Sequence, residues 1–146
     1  MRSPQAKQKT VLAFGTFDYL HPGHCNFFQQ AKKLGRLIVI VARDKNVKKI
    51  KNLRPHKNER SRLATVAIDP NVCKALLGDQ TDFLKPILKI KPDIIVLGFD
   101  QKTFSIPSLQ TKLKKHNLMP KIIRLKSYKP QEFKSSLLRK KARTNF

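Results

Sequence analysis

A short apolar run, a turn that carries two histidines and a helical segment follow one another near the start of this chain, and together they constrain its fold strongly. Residues 11–14 predict a buried strand, and residues 25–34 predict a helix that ends at Gly35. The turn between them reads Gly-Thr-Phe-Asp-Tyr-Leu-His-Pro-Gly-His. A helix that begins here presents unpaired N–H groups and the positive end of its dipole, which suit a phosphate. Histidines add donors that can carry positive charge near neutral pH.

Strand and helix patterns alternate along the rest of the chain without internal repeats. Further strands are predicted at residues 36–42, 72–77, 92–97 and 121–125, and the last of them is expected towards the sheet edge. Helices are predicted at residues 58–67, 83–90, 108–116 and 132–141. Residues 44–57 are predicted to form a basic loop. Asp82 is the predicted N-cap of the helix at 83–90, with Pro86 near its first turn. Strands joined by helices indicate an α/β fold: one Rossmann-like, doubly wound domain whose five-stranded parallel sheet carries helices on both faces. Ligands of such sheets bind beyond the carboxyl ends of the strands.

The length of 146 residues suits one domain, with residues 1–8 as a flexible basic arm and residues 9–146 as the folded part. No apolar run approaches the roughly 20 residues that cross a bilayer, and no secretory signal is visible. Cys25 and Cys73 lack a CxxC partner or metal-ligand spacing, so we expect reduced core or near-core thiols in a cytoplasmic protein.

The charge balance is strongly basic, with 32 Lys and Arg against 9 Asp and Glu and a net charge of +23. Such a field attracts polyanions and suits nucleoside triphosphates, but it exceeds what one nucleotide pocket requires. RNA association therefore stays open as an alternative. The sequence shows no RNP-like aromatic strand, KH-type loop or zinc-finger spacing that would mark a dedicated nucleic-acid module.

The segment His21-Pro22-Gly23-His24 resembles the HxGH signature of the cytidylyltransferase-like nucleotidyltransferases. Members of this family transfer a nucleoside monophosphate from an NTP to a phosphorylated small molecule and release pyrophosphate, and Mg²⁺ is expected for such chemistry. The resemblance implies that His21 and His24 stabilise charge on the α- and β-phosphates. It also assigns nucleotide binding to Gly15, Thr16, Phe17 and Gly23. Without the resemblance, the segment would be an ordinary strand-to-helix turn with two surface histidines.

Two later segments resemble other parts of the family's site. Gly98-Phe99-Asp100-Gln101 follows a predicted strand, as the histidine turn does, and resembles the Gly-x-Asp segment that lines the nucleotide pocket. The segment at 133–139 resembles the family's Ile-Ser-Ser-Thr-x-Ile-Arg element, but Phe133, Lys134 and Ser136 depart from it. The resemblance assigns the NTP phosphates to Ser135, Ser136 and Arg139, whose hydroxyls and guanidinium match phosphate geometry. A Ser-capped basic helix is the alternative.

Three further residues have a functional and a structural interpretation. Lys48 lies in a lysine-rich segment that could close over a triphosphate, although most lysines here must be solvated. Arg62 matches the position of an Arg in the family and opens a helix, so it is assigned to nucleotide binding. Asp18 could hold Mg²⁺ or orient a substrate hydroxyl, or it could be a turn aspartate bonded to backbone.

The resemblance spans nearly the whole chain and is greatest to the archaeal-type FAD synthases, on the segments at 15–24, 41–48 and 90–101. It implies that ATP and FMN are the substrates, FAD the product, and direct displacement at the α-phosphorus the reaction. Two alternatives stay open: a CTP-dependent cytidylyltransferase of the glycerol-phosphate type, and a non-catalytic, basic RNA-associated protein on the same fold. Family members are commonly dimers, so the resemblance allows a homodimer, although no sequence feature specifies one.

Overall fold

The computed structural model describes residues 8–18, 20, 22–51, 56–98 and 105–125, with the backbone alone at 48–51. Five strands and five helices lie in this part of the chain. In chain order they are β1 (Thr10–Gly15), α1 (Pro22–Lys32), β2 (Arg36–Val41), α2 (Asp44–Lys51), α3 (Glu59–Ala67), β3 (Lys74–Leu77), α4 (Leu84–Ile90), β4 (Ile94–Leu97), α5 (Ile106–Lys114) and β5 (Lys121–Arg124). Residues 1–7 of the basic arm, the predicted helix at 132–141 and the segment at 99–104 lie outside the described residues.

The five strands form one parallel sheet in the order β3-β2-β1-β4-β5. Strand β1 lies in the centre, where Val11 is level with Leu37 of β2 and with Ile94 of β4. The chain winds outwards from β1 in one direction through β2 and β3, and in the other through β4 and β5. The switch point, where α/β proteins bind ligands, therefore lies at the carboxyl end of β1. The predicted five-stranded parallel sheet is confirmed, with β5 at an edge.

Alternate residues of β1 supply the two faces of the core. Val11 and Ala13 belong to the cluster that contains Phe28 of α1 and Val66 of α3. On the opposite face, Leu12 and Phe14 join the residues of α4 and α5 that are buried, Ile87, Leu109 and Leu113. Because strand side chains alternate and both sets are buried, β1 is apolar throughout, as expected of a central parallel strand. Helices thus cover both faces, as the doubly wound prediction requires.

The prediction of a loop across residues 44–57 is wrong for its first half, which forms helix α2. The start of α2 is fixed by tertiary hydrogen bonds: the Asp44 N–H donates to Glu59 Oε1 at 3.0 Å, and the Glu59 N–H donates to Asp44 Oδ2 at 3.2 Å. Each carboxylate thus satisfies an N–H group at the start of the other helix. These contacts join residues 15 positions apart, which a local pattern does not reveal.

Helix α1 begins three residues before its prediction and ends two residues before it, while α3, α4 and α5 begin within two residues of their predicted starts. Helix α3 begins one residue after the predicted start, and Asn58 is its N-cap, with Oδ1 accepting the Ser61 N–H at 2.8 Å. The N-cap of α4 is Phe83, one residue after the predicted Asp82, although Asp82 Oδ1 accepts the Leu84 N–H at 3.0 Å. Ser105 caps α5, which begins two residues before its prediction. Among the described residues, no helix combines the length and the apolar character that a membrane span needs.

Candidate active site

The β1–α1 connection lies at the carboxyl edge of the sheet, and its position is fixed by the neighbouring strand. Gly15 ends β1, and its carbonyl accepts the Ala42 N–H just after β2 at 2.9 Å. Helix α1 begins at Pro22, so Gly23 and His24 lie in its first turn, and the His24 side chain is half-buried. The start of α1, with the positive end of its dipole, therefore lies at the switch point, as an anion site requires.

The ring of Phe17 fills the space between Gly15 and His24. Phe17 is 6% exposed, and its ring meets the His24 imidazole edge-on, with ring centroids 5.4 Å apart and an interplanar angle of 75°. A Cβ atom placed on Gly15 would lie 2.4 Å from Cζ of Phe17, so only glycine fits there while the ring keeps its place. The Phe17 ring thus packs between Gly15 and the His24 imidazole.

Arg62 is fully buried beneath the same connection and joins three segments of the chain. Its Nη1 donates to the Thr16 carbonyl at 2.9 Å, its Nε donates to the Lys57 carbonyl at 2.9 Å, and its Nη2 donates to Asp44 Oδ1 at 2.6 Å. All three guanidinium nitrogens are therefore engaged by the protein. This geometry gives Arg62 a structural role beneath the β1–α1 connection, and its direct contact with nucleotide stays a prediction.

Asp18 fixes the other side of the connection. Its Oδ2 accepts the His56 N–H at 2.6 Å and its Oδ1 accepts the Lys57 N–H at 2.7 Å, while the residue is only 3% exposed. Through these two hydrogen bonds, Asp18 joins the β1–α1 connection to the segment before α3. This arrangement favours the structural interpretation of Asp18 over a direct metal ligand, and the metal assignment stays a prediction.

Two carboxylates at this edge were missed by sequence reasoning. Asp44 bonds Arg62 as well as the start of α3, and Glu59 lies 3.5 Å from Arg43 Nε as an ion pair. The position of Asp44, three residues beyond β2, was a usable signal because the ends of neighbouring parallel strands meet at one edge. The sequence signal for Glu59 was weaker, because an acidic residue in the first turn of a helix is common.

Gly98 lies on the far side of the switch point, directly after β4. Its carbonyl accepts a hydrogen bond from Arg124 Nη1 at 2.9 Å. Directly after β5, the Leu125 N–H donates to the Leu97 carbonyl at 2.8 Å. The turn after β4 is therefore anchored to the edge strand. Gly98 and Gly15 end the two strands on either side of the switch point, as predicted from the sequence.

A sequence model of the cytidylyltransferase-like family matches residues 12–141 of this chain. The chain belongs to the cytidylyltransferase-like family. This confirms the relationship that the HxGH segment indicated, and it accounts for the Rossmann-like sheet with the histidine turn at its switch point.

Two curated relatives and one solved structure extend the comparison. The chain is 48% identical over 128 residues to an FAD synthase of Archaeoglobus profundus, covering 86% of this chain and 80% of that protein. It is 47% identical over 130 residues to an FAD synthase of Ferroglobus placidus, covering 88% and 83%. A crystal structure described as a lipopolysaccharide core biosynthesis protein from Thermoplasma volcanium superimposes with a TM-score of 0.78 at 41% identity, covering 83% of this chain and 98% of that one. The predicted α/β fold is thus confirmed in this nucleotidyltransferase.

Of the site residues predicted from the sequence, the structure describes Gly15, Thr16, Phe17, Asp18, Gly23, His24, Arg62 and Gly98. These residues lie at or beneath one edge of the sheet, at the ends of β1 and β4 and at the start of α1. The other predicted site residues lie outside the described residues: His21, Asp100, Gln101, Ser135, Ser136, Arg139 and the side chain of Lys48. Convergence of the C-terminal hydroxyls and Arg139 on this edge thus stays a prediction.

The thiols differ from expectation in one respect. Cys25 and Cys73 are free, but both are exposed rather than part of the core. Partial burial of its sulfur raises the pKa of the Cys25 thiol, and the Asp69 carboxylate beside it raises that pKa further by charge and by hydrogen bonding. Although Cys25 follows His24 directly, it is a neutral thiol near pH 7 and a poor nucleophile.

Proposed function

We propose that this protein is an FMN adenylyltransferase, which transfers AMP from ATP to FMN and releases pyrophosphate to give FAD. The proposal is supported by the two FAD synthases that match most of the chain at 48% and 47% identity. The structural observation that supports it is the position of α1, which begins at the switch point of the sheet with His24 in its first turn, in a cytidylyltransferase-like chain. A helix N-terminus there can hold the phosphates of the nucleotide while one of them reacts.

The reaction needs positioning and charge stabilisation rather than a nucleophilic side chain. A phosphate oxygen of FMN attacks the α-phosphorus of ATP in line; the new O–P bond forms as the bond from the α-phosphorus to the β-phosphate oxygen breaks. Pyrophosphate takes the electron pair of that bond. The N–H groups at the start of α1 and the His24 imidazole are proposed to stabilise the charge that develops on the phosphates.

The other assigned residues complete the proposed site. His21 acts with His24 on the α- and β-phosphates, while the nucleoside contacts Gly98, Asp100 and Gln101. The leaving pyrophosphate is held by groups from later in the chain and from α2, namely Ser135, Ser136, Arg139 and Lys48. The role of Lys48 rests on the basic character of its segment, and the other roles are carried over from the family's motifs.

Mg²⁺ is proposed as the cofactor, and direct ligation by Asp18 stays a prediction, since each of its carboxylate oxygens already accepts a backbone N–H. The described residues include no cluster of three or more His, Cys, Asp or Glu side chains that could hold a metal. Mg²⁺ keeps several waters and binds readily through substrate phosphates, where it neutralises the charge of the leaving pyrophosphate. The protein's own contribution is then to hold the phosphates, not the ion.

A pyrophosphate-release assay with each combination of ATP or CTP and FMN or glycerol 3-phosphate tests the substrates. We expect release only with ATP and FMN, together with the appearance of FAD. Release with CTP and glycerol 3-phosphate would instead establish the cytidylyltransferase alternative. Release with no combination would favour the non-catalytic alternative.

Replacing His24 tests the proposed site. We expect His24→Ala to lower kcat by about 10²–10³-fold, the usual effect of losing one transition-state donor. His116→Ala is the matched control, because His116 is exposed just after α5. A His24→Ala enzyme that turns over as fast as the His116→Ala enzyme would remove His24 from the mechanism.

The net charge of +23 supports a second, weaker proposal of non-specific RNA association. Affinity for a random-sequence RNA should fall steeply with salt and should be the same in the wild type and in His24→Ala. Binding that is insensitive to salt would contradict an electrostatic association.

A homodimer and a cytoplasmic location are further proposals. Analytical ultracentrifugation tests the homodimer, and cell fractionation tests the location.

A further inference from the structure

Phe17 has a backbone conformation that is rare for a bulky side chain. Its φ angle is 54°, in the left-handed region, yet its ring is 6% exposed. Aromatic residues seldom adopt this conformation, and where they do the surrounding structure must hold them there. Such residues concentrate at functional sites, so the reason for the conformation has to be sought in what the ring contacts.

Separate hydrogen bonds hold the backbone on each side of Phe17. The carbonyl of Thr16 accepts from Arg62 Nη1 at 2.9 Å. The carboxylate of Asp18 accepts the backbone N–H groups of His56 and Lys57 at 2.6 and 2.7 Å. Because the residues before and after it are fixed by different parts of the chain, Phe17 has little freedom to relax into an ordinary conformation.

The left-handed backbone directs the Phe17 ring back over Gly15 and against His24. The ring centroid lies 5.4 Å from that of the His24 imidazole and 5.3 Å from that of Phe28, and both pairs have inclined, not parallel, rings. On its other side, three ring atoms would lie 2.4–2.9 Å from a Cβ atom on Gly15. The ring is therefore confined between the end of β1 and α1, with the imidazole as one of its neighbours.

We propose that Phe17 is a positioning residue, whose confined ring sets the orientation of the His24 imidazole towards the phosphates of the nucleotide. The inference rests on the proposed role of His24. A ring held edge to face against the imidazole restricts its rotation, so the donor is oriented before substrate binds. The glycine at position 15 is then required by the Phe17 ring, apart from any contact that its backbone makes with nucleotide.

A double-mutant cycle of Gly15→Ala and Phe17→Leu tests this proposal. The added methyl group should displace the Phe17 ring and thereby the imidazole, so we expect Gly15→Ala to lower kcat by about 10–10²-fold. Phe17→Leu should lower kcat by a similar factor. Because leucine vacates the space beside Gly15, adding Gly15→Ala to Phe17→Leu should cost little more. An equal loss from Gly15→Ala in both backgrounds would overturn the proposal, since the methyl group would then act on its own.

NMR of the His24 imidazole supplies a readout that does not depend on catalysis. In the wild type, the aromatic ring of Phe17 shifts the imidazole C–H resonances. We expect those resonances to move in Phe17→Leu and in Gly15→Ala, and unchanged resonances in both would refute the contact. If Phe17→Leu does not fold, Phe17→Met keeps a flexible apolar side chain in the same space and serves in its place.

Phe27→Leu is the matched control, because Phe27 packs against the same core cluster and its ring centroid lies 6.0 Å from that of Phe28. This variant should lose stability, keep its kcat and keep its His24 resonances. If no substrate pair reacts but the resonances move as expected, the proposed function fails and the contact stands. If FAD forms and His24→Ala is slow, but Phe17→Leu is as fast as Phe27→Leu, the positioning role fails and the proposed function stands.

Discussion

At the scale of single residues, Arg62 shows how a charge inside the protein can be satisfied without a ligand. Its guanidinium is fully buried, and its donors meet the carbonyls of Thr16 and Lys57 and the carboxylate of Asp44. The planar fork of arginine reaches three acceptors at once, which a lysine ammonium on this stem would not do. The residue thus joins the histidine turn to the starts of α2 and α3.

Arg62→Met should therefore destabilise the fold by about 2–5 kcal/mol, because two buried carbonyls lose their donor and Asp44 loses its partner. The ion pair itself contributes less than its short distance suggests, since the Asp44 side chain is 40% exposed and screened by solvent. Urea denaturation measures the change in unfolding free energy. Arg60→Met, an exposed arginine of the same helix, is the control and should change it by no more than about 0.5 kcal/mol. Equal effects of both substitutions would contradict the buried network.

At the scale of elements, the start of α3 controls the segment that holds Asp18. The Asn58 side chain caps this helix by accepting the Ser61 N–H, directly after the two residues whose N–H groups bind Asp18. We expect Asn58→Ala to lower the unfolding free energy by about 1 kcal/mol. Asn58→Asp keeps an acceptor and adds favourable charge at the helix start, so its stability should match or exceed that of the wild type. Thermal unfolding of both variants checks this, and equal losses would show that the cap is not the cause.

The elements that the sequence predicted are those whose signal is local. Continuous apolar runs marked β1, β2 and β4 because both faces of a central parallel strand are buried. Helix α2 was missed because its lysine-rich sequence offers Val47 and Ile50 as its apolar residues, and Glu59, 15 residues away, satisfies its first N–H. The junction of β1 with α1 was placed correctly, although α1 begins at Pro22 and so includes Gly23 and His24. The contacts of Arg62 with this connection join residues far apart in the chain, which no local pattern reveals.

At the scale of the whole molecule, the few acidic residues serve mainly as acceptors for backbone N–H groups. Seven of the nine lie in the described residues, and the carboxylate of each accepts a backbone N–H: Asp18, Asp44, Glu59, Asp69, Asp79, Asp82 and Asp93. At Asp79, the N–H groups of Asp82 and Thr81 lower the pKa of the carboxyl. Carboxylates thus serve the backbone at helix starts and turns, and in the part of the chain that the structure describes the lysine–carboxylate ion pair is that of Lys85 with Asp79, at 3.8 Å.

Repulsion among the exposed lysines should make the stability of the fold depend on salt. Raising NaCl from about 0.02 M to about 0.5 M shortens the screening length several-fold, so we expect the urea midpoint to rise. Replacing Lys33, Lys74 and Lys121 together by Gln removes three exposed charges with small local effects, and it should raise the midpoint at low salt and reduce its salt response. A wild-type midpoint that does not change with NaCl, or a triple variant with an undiminished response, would show that self-repulsion does not limit stability. Guanidinium chloride cannot replace urea here, because as a salt it screens the charges that the experiment measures.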